Sequence, residues 1–120
     1  MNASVASYRE HAILTAPPER LVSMMYQGAC RFLAQAAAAM EAKDIEQANN
    51  RLQRAEAIVD ELRRTLDHSA GEISQQLGAI YTFCIRHLQR ARLDRDARKI
   101  TQVRDLLADL GEAWAQIVAP

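Results

Sequence analysis

Proline is nearly missing from this chain, with three residues in 120, at positions 17, 18 and 120. Glycine is almost as sparse, with four residues that never cluster. These two residues break helices and shape tight turns, so Pro18 to Val118 can be helical everywhere except at its joints. No stretch alternates apolar and polar residues with a period of two, which leaves no candidate strand. Aromatic residues make up 5%, and Trp114 is the single tryptophan. Fifteen basic side chains cancel fifteen acidic ones, so no overall field draws the chain to nucleic acid or an anionic membrane. The longest apolar run, Ala36 to Met40, is far too short to insert across a bilayer. "MNASVASYREH" has neither the basic flank nor the apolar stretch of a secretory signal, and the sequence reads as cytoplasmic. Cys30 and Cys84 each sit in an apolar helical pattern, where a cysteine is a small buried hydrophobe more often than a disulfide or a reactive thiol.

What is present fits one soluble domain: 49% hydrophobic residues, 25% charged, and enough chain for a single core. Three joints divide it. In "AKDIEQ", Asp44 can cap a helix while Gln47 returns a bond to its amide. In "DHSAGEI", Ser69 and Glu72 offer the same box. In "LDRDARKI", either Asp94 or Asp96 can cap. The joints predict helices over roughly 17–42, 45–67, 70–93 and 97–118. Near-equal helices with short connections must run antiparallel to their sequence neighbours, so the expected fold is all-α, an up-down-up-down four-helix bundle. It occupies residues 17–120, preceded by a mobile polar arm, 1–16, with one aromatic, Tyr8. The double proline suits the first turn of the first helix, whose amides have no helical acceptor, with Thr15 or Ala16 left to cap it.

A bundle helix needs an apolar stripe somewhat wider than 100°. The second helix satisfies that with Ile45, Ala48, Leu52, Ala55, Val59, Leu62 and Leu66, and the fourth is a little wider, at about 140°. The first and third carry more, roughly 200°. In the third, Ile73, Leu77, Ile80, Cys84 and Leu88 form the stripe, with Tyr81 and Ile85 on one flank and Phe83 on the other. In the first, the arc runs from Met24 through Leu21, Met25 and Phe32 to Val22, Leu33 and Tyr26. Two readings follow: the flanks pack on neighbouring helices or the arm, or they form an exposed apolar groove for a partner segment. Adaptable methionines at 24 and 25 suit such a groove.

No catalytic constellation accompanies this surface. Di-iron bundles need Glu-x-x-His pairs, and none of His11, His68 or His87 has a Glu three residues before it. There is no phosphate loop, nucleophile elbow or Cys-x-x-Cys, so neither a cofactor nor an enzymatic activity is expected. One charge cluster remains, Arg86, Arg90, Arg92, Arg95, Arg98 and Lys99 within fourteen residues. It reads as a salt-bridged helix end or, in a rival function, as the dock of a small regulatory protein for an acidic partner.

These segments together resemble the bacterial flagellar secretion chaperone of flagellin, the FliS family. The resemblance is carried by Tyr8, "APPERLVSMMYQGACRFLAQA", "GEISQQLGAIYTFCIRHLQRA" and "VRDLLADLGEAW", in the family's order and spacing over essentially the whole chain. Two details depart from the family: Ala16 and a second proline replace the usual Ser or Thr before the helix-1 proline, and Ala91-Arg92 replaces Ala-Asn. The resemblance implies a cytoplasmic chaperone that binds the disordered C-terminal segment of flagellin on its apolar surface. It further implies that the chaperone prevents premature polymerisation and presents the subunit to the flagellar type III export apparatus, with the arm over part of that surface in the free state. On this reading Tyr8, Val22, Met25, Tyr26, Tyr81 and Ile85, in the arm or on the surplus arcs, are the candidate binding residues.

Overall fold

The structure, a computed structural model, describes residues 18–118. The expected arm, with Tyr8, His11 and the capping candidates Thr15 and Ala16, lies outside the described residues. Four helices follow in order: α1 (Pro18–Glu41), α2 (Ile45–Arg64), α3 (Glu72–Asp94) and α4 (Ala97–Val118), with a single 3-10 turn, His68–Ala70, before α3. The architecture is the expected antiparallel four-helix bundle. Each helix packs against the two that flank it around the bundle, so α1 and α3 face each other across the diagonal.

The joints explain how helices this long stop without proline. At the end of α1, Lys43 adopts a left-handed backbone (φ 63°). Its amide bonds to the Met40 carbonyl (3.1 Å) and the Asp44 amide reaches back to Ala39 (2.9 Å), the two crossed bonds of a Schellman ending. Asp44 then caps α2 as expected, accepting from the Gln47 amide at 3.2 Å. The reciprocal bond from Gln47 does not form, because the Asp44 amide is already held by Ala39. α3 ends the same way, with Arg95 left-handed (φ 51°) and the Asp96 amide on the Ala91 carbonyl at 3.1 Å. Of the two aspartates proposed there, Asp96 is the one that caps, accepting from the Arg98 amide at 2.9 Å.

The middle joint departs from expectation. α2 stops at Arg64, and the Ser69–Glu72 box is absent. Asp67 takes over, its carboxylate accepting from the Ser69 amide at 2.9 Å. Gly71, with φ 73°, turns the chain into α3 without a side-chain cap. A left-handed residue at the cap position is incompatible with the extended backbone that a capping box requires, and a carboxylate outcompetes a hydroxyl for the loose amide. Ser74, buried in the first turn of α3, donates to the Asp67 carbonyl and ties the helix back to the turn.

Leu33, Leu52, Val59, Leu88, Ile100, Val103 and Leu107 are fully buried and form the centre of the core. α1 makes its broadest contacts with α2 and α4, and buried alanines at 29, 36, 37, 48 and 55 let the α1 and α2 backbones approach closely. α3 is held by smaller interfaces. The wide arc of α1 is thus used by two close neighbours, whereas that of α3 is not. Near its end α4 is tied to the first turn of α1, where the Trp114 indole donates to the Glu19 carbonyl at 2.8 Å.

Candidate functional site

Of the residues singled out on the surplus arcs, Tyr26 and Tyr81 are core residues, 5% and 3% exposed. Their hydroxyls hydrogen-bond to each other across the diagonal between α1 and α3. Tyr26 fits because position 111 on α4 is glycine: a Cβ there would lie 3.0 Å from the Tyr26 Cβ and 3.3 Å from its Cγ. Val22, Met25 and Ile85 are half-buried and pack against the core. Tyr8 lies outside the described residues.

The Tyr81 and Ile85 flank of α3 turns toward α2. Arg63 reaches Thr82 at 3.5 Å, Arg92 pairs with Glu56 at 2.9 Å, and a Cβ at Gly78 would meet Leu66 at 3.6 Å. The opposite flank is the one left open. His87 Nε2 lies 2.7 Å from Gln102 Oε1, which fixes the register between α3 and the antiparallel α4. From that pair, each step back along α3 matches a step forward along α4. Phe83, Ile80 and Ile73 share the His87 side of α3, and Leu106, Leu110 and Ile117 share the Gln102 side of α4, each set within about 80°.

These six residues form one apolar seam. Ile80, Leu106 and Leu110 are half-buried against the core. Ile73, Phe83 and Ile117 stand 66%, 52% and 77% exposed. Single exposed apolar side chains are ordinary, but a line of them bordering half-buried ones is the pattern of a protein contact surface. From Ile73 to Phe83 the seam runs about 15 Å, nearly three helical turns. The Phe83 ring stacks on His87 with centroids 5.1 Å apart. Beside it a shallow depression of about 540 Å³ on the outer face of α3 is lined by Ala79, Thr82, Phe83, Arg86 and Arg90. A second depression, about 310 Å³, opens between α1 and α4 over Tyr26, Cys30 and Gly111.

The charges around the seam are mostly paired. Arg90 meets Asp94 at 3.1 Å, Arg98 meets Asp96 at 3.6 Å, and Lys99 lies between Asp94 and Asp96 at 3.9 and 3.6 Å. With Arg92 on Glu56, four of the six cations in the cluster at 86–99 are paired within the fold, and Arg86 and Arg95 have no ion-pair partner among the described residues. Arg92, where the family usually has Asn, thus serves the α2–α3 contact and leaves the joint after α3 intact. Burial pushes the Glu56 carboxyl up from its ordinary value, and Arg92 partly offsets this. Cys84 is fully buried and its thiol is pushed up to about 11 by that burial. Cys30 is half-buried, its Sγ 3.7 Å from the Arg104 carbonyl. Among the described residues, no three His, Cys, Asp or Glu side chains are placed to hold a metal, and no helix is long and apolar enough to cross a membrane. What the arrangement offers is apolar contact area, with no reactive group at its centre.

The model of the family "Flagellar protein FliS" matches residues 1–120. The chain belongs to the FliS family. It is 36% identical over 110 residues to the flagellar secretion chaperone FliS of Salmonella typhimurium, covering 90% of this chain and 82% of that one. To the protein of the same name from Bacillus subtilis it is 33% identical over 112 residues, covering 93% and 84%. The FliS of Campylobacter jejuni matches at 33% over 117 residues, covering 97% and 91%. Of the segments that carried the resemblance in the sequence, residues 18–36 lie in α1, 72–91 in α3 and 103–114 in α4. In this FliS-family chain the open flank is that of Phe83, a residue the sequence places on the wide arc without telling which side of the arc stays free.

Proposed function

We propose that this chain is a cytoplasmic export chaperone that binds the C-terminal segment of flagellin, prevents its premature polymerisation and holds it for the flagellar type III export apparatus. The observation that supports the reading is the apolar seam between α3 and α4 in a chain of the flagellar secretion chaperone family. A disordered segment that folds on the seam buries its own apolar face there and pays for ordering out of that gain, which keeps affinity compatible with release. The binding is stoichiometric, and no reaction accompanies it. Ile73, Phe83 and Ile117 supply the exposed contact, and the half-buried Val22, Met25 and Ile85, which pack against the core away from the seam, remain proposed contacts of a longer segment. Tyr26 and Tyr81 support the site through packing, and Tyr8 of the arm remains a proposed contact.

The test is calorimetric titration with about forty C-terminal residues of the host flagellin, at about 0.1 M and about 1 M salt. One-to-one binding with a negative heat-capacity change that persists at high salt supports the reading. Absence of binding at both salts overturns it.

A further inference from the structure

The two banks of the apolar seam differ in charge. α3 carries no carboxylate from Ile73 to Leu93, yet it carries Arg86, Arg90 and Arg92 in that stretch. Arg92 is turned to α2 by Glu56. Arg86 and Arg90 line the depression that the Phe83 ring also lines, on the solvent side of the seam. Arg90 shares Asp94, whereas Arg86 has no ion-pair partner among the described residues. The opposite bank, on α4, carries a carboxylate there. Asp109 follows the seam residue Leu106 by three positions and precedes Leu110 by one, which places it at the solvent edge of the same stripe. It too has no ion-pair partner among the described residues, while Asp105, one turn earlier, is occupied by Arg104 at 3.0 Å.

The chain is neutral overall, so this polarity is local and does not come from net charge. An apolar groove by itself accepts any amphipathic helix in either lateral orientation. Opposite charges along its two banks distinguish those orientations, because one places like charges together and the other pairs them. The register set by His87 and Gln102 puts Ile80 level with Asp109, so Arg86 and Asp109 are offset by six residues, about 9 Å along the seam.

Resting on the reading of the seam as the flagellin-binding surface, we propose that it takes an amphipathic helix whose acidic edge lies over α3 at Arg86 and Arg90 and whose basic edge lies over α4 at Asp109. The apolar area supplies the affinity, and the two banks fix in which direction the helix runs along the groove and suppress apolar segments of the wrong charge pattern. Rim charges of this kind act mainly on selectivity and on the rate of encounter, and salt screens them.

The experiment measures binding of the host flagellin's C-terminal peptide to the full chain and to three variants: Arg86→Glu, Asp109→Lys and Phe83→Ala. All three positions are exposed, and circular dichroism confirms that each variant is folded. At about 0.1 M salt, each charge reversal is expected to weaken binding about three- to tenfold, and the loss should largely vanish at about 1 M. Phe83→Ala is expected to weaken binding at both salts. Charge reversals without effect, or with a gain in affinity, overturn the proposed polarity while a loss in Phe83→Ala leaves the seam itself standing. If the unaltered chain fails to bind the peptide, the reading of the seam falls and the polarity falls with it.

Discussion

Tyr26 on α1 and Tyr81 on α3, 55 residues apart in sequence, share a hydrogen bond between hydroxyls inside the bundle. It is a polar contact joining the two helices that face each other across the diagonal. One hydroxyl donates and the other accepts, and both rings contribute their apolar area to the core. Taking away one hydroxyl strands the other without a partner, whereas taking away both leaves two rings in apolar contact. Tyr26→Phe and Tyr81→Phe should therefore each lower stability by about 1–2 kcal/mol, and the double variant should lose less than the sum. Urea unfolding of the four proteins gives the cycle. Additive losses would mean that the two hydroxyls act independently.

The same pair predicts a response to alkali. Burial pushes both hydroxyls above their ordinary value of 10.0. The unfolded chain, by contrast, ionises its tyrosines near that value, at about 10. The stabilisation held in the pair is therefore fully present below pH of about 10 and is lost as pH rises further, because the unfolded state releases protons that the native state keeps. As pH rises past about 10 the protein should lose stability faster than the Tyr26→Phe/Tyr81→Phe double variant. Chemical denaturation at stepped pH measures this, and parallel curves for the two proteins would count against it.

Lys43 and Arg95 hold left-handed backbones at two helix ends (φ 63° and 51°). An L-residue with a side chain strains by roughly 1–2 kcal/mol in that region, and glycine does not. Glycine also gives the unfolded chain more freedom, which offsets part of the relief. Lys43→Gly and Arg95→Gly should each stabilise the fold by about 0.5–1 kcal/mol, visible as a higher thermal midpoint. Neither Lys43 nor Arg95 makes an ion pair among the described residues, so neither variant loses one. A lowered midpoint for Lys43→Gly would show that its aliphatic stem contributes packing.

These two residues also show where the sequence stops being legible. Four helices, their order and the Asp44 cap can be read from apolar period and capping chemistry, because both are local. The endings at Lys43 and Arg95 cannot, since the usual marker of a left-handed ending is glycine and neither position has it. The middle joint misleads for a related reason: Ser69 and Glu72 have the right spacing, but Gly71 between them takes a backbone that excludes the box. For the site, the sequence shows that α1 and α3 have surplus apolar arcs but not what faces them. Tyr26 and Tyr81 look like surplus on a helical wheel. Only the approach of α2 and α4 to α1, and of α2 to α3, puts them inside and leaves Phe83 outside.

That division between inside and outside can be separated by two substitutions on α3. Leu88 is fully buried, and Leu88→Ala should cost about 2–5 kcal/mol through lost transfer energy and the cavity it leaves. Phe83 is more than half exposed, at 52%, so Phe83→Ala removes little buried area and should cost under about 1 kcal/mol. For the proposed binding of the flagellin segment the order should reverse. On that proposal a partner helix covers the Phe83 ring, and truncating a central aromatic in a contact surface commonly costs about 2 kcal/mol or more of affinity. Leu88 is fully buried and offers no surface to a partner, so a Leu88→Ala protein that still folds should bind nearly as well as the unaltered chain. Denaturation and titration on the same two preparations test both halves. A Phe83→Ala protein that loses stability but keeps its affinity would assign Phe83 to the fold and remove the seam between α3 and α4 as the binding surface.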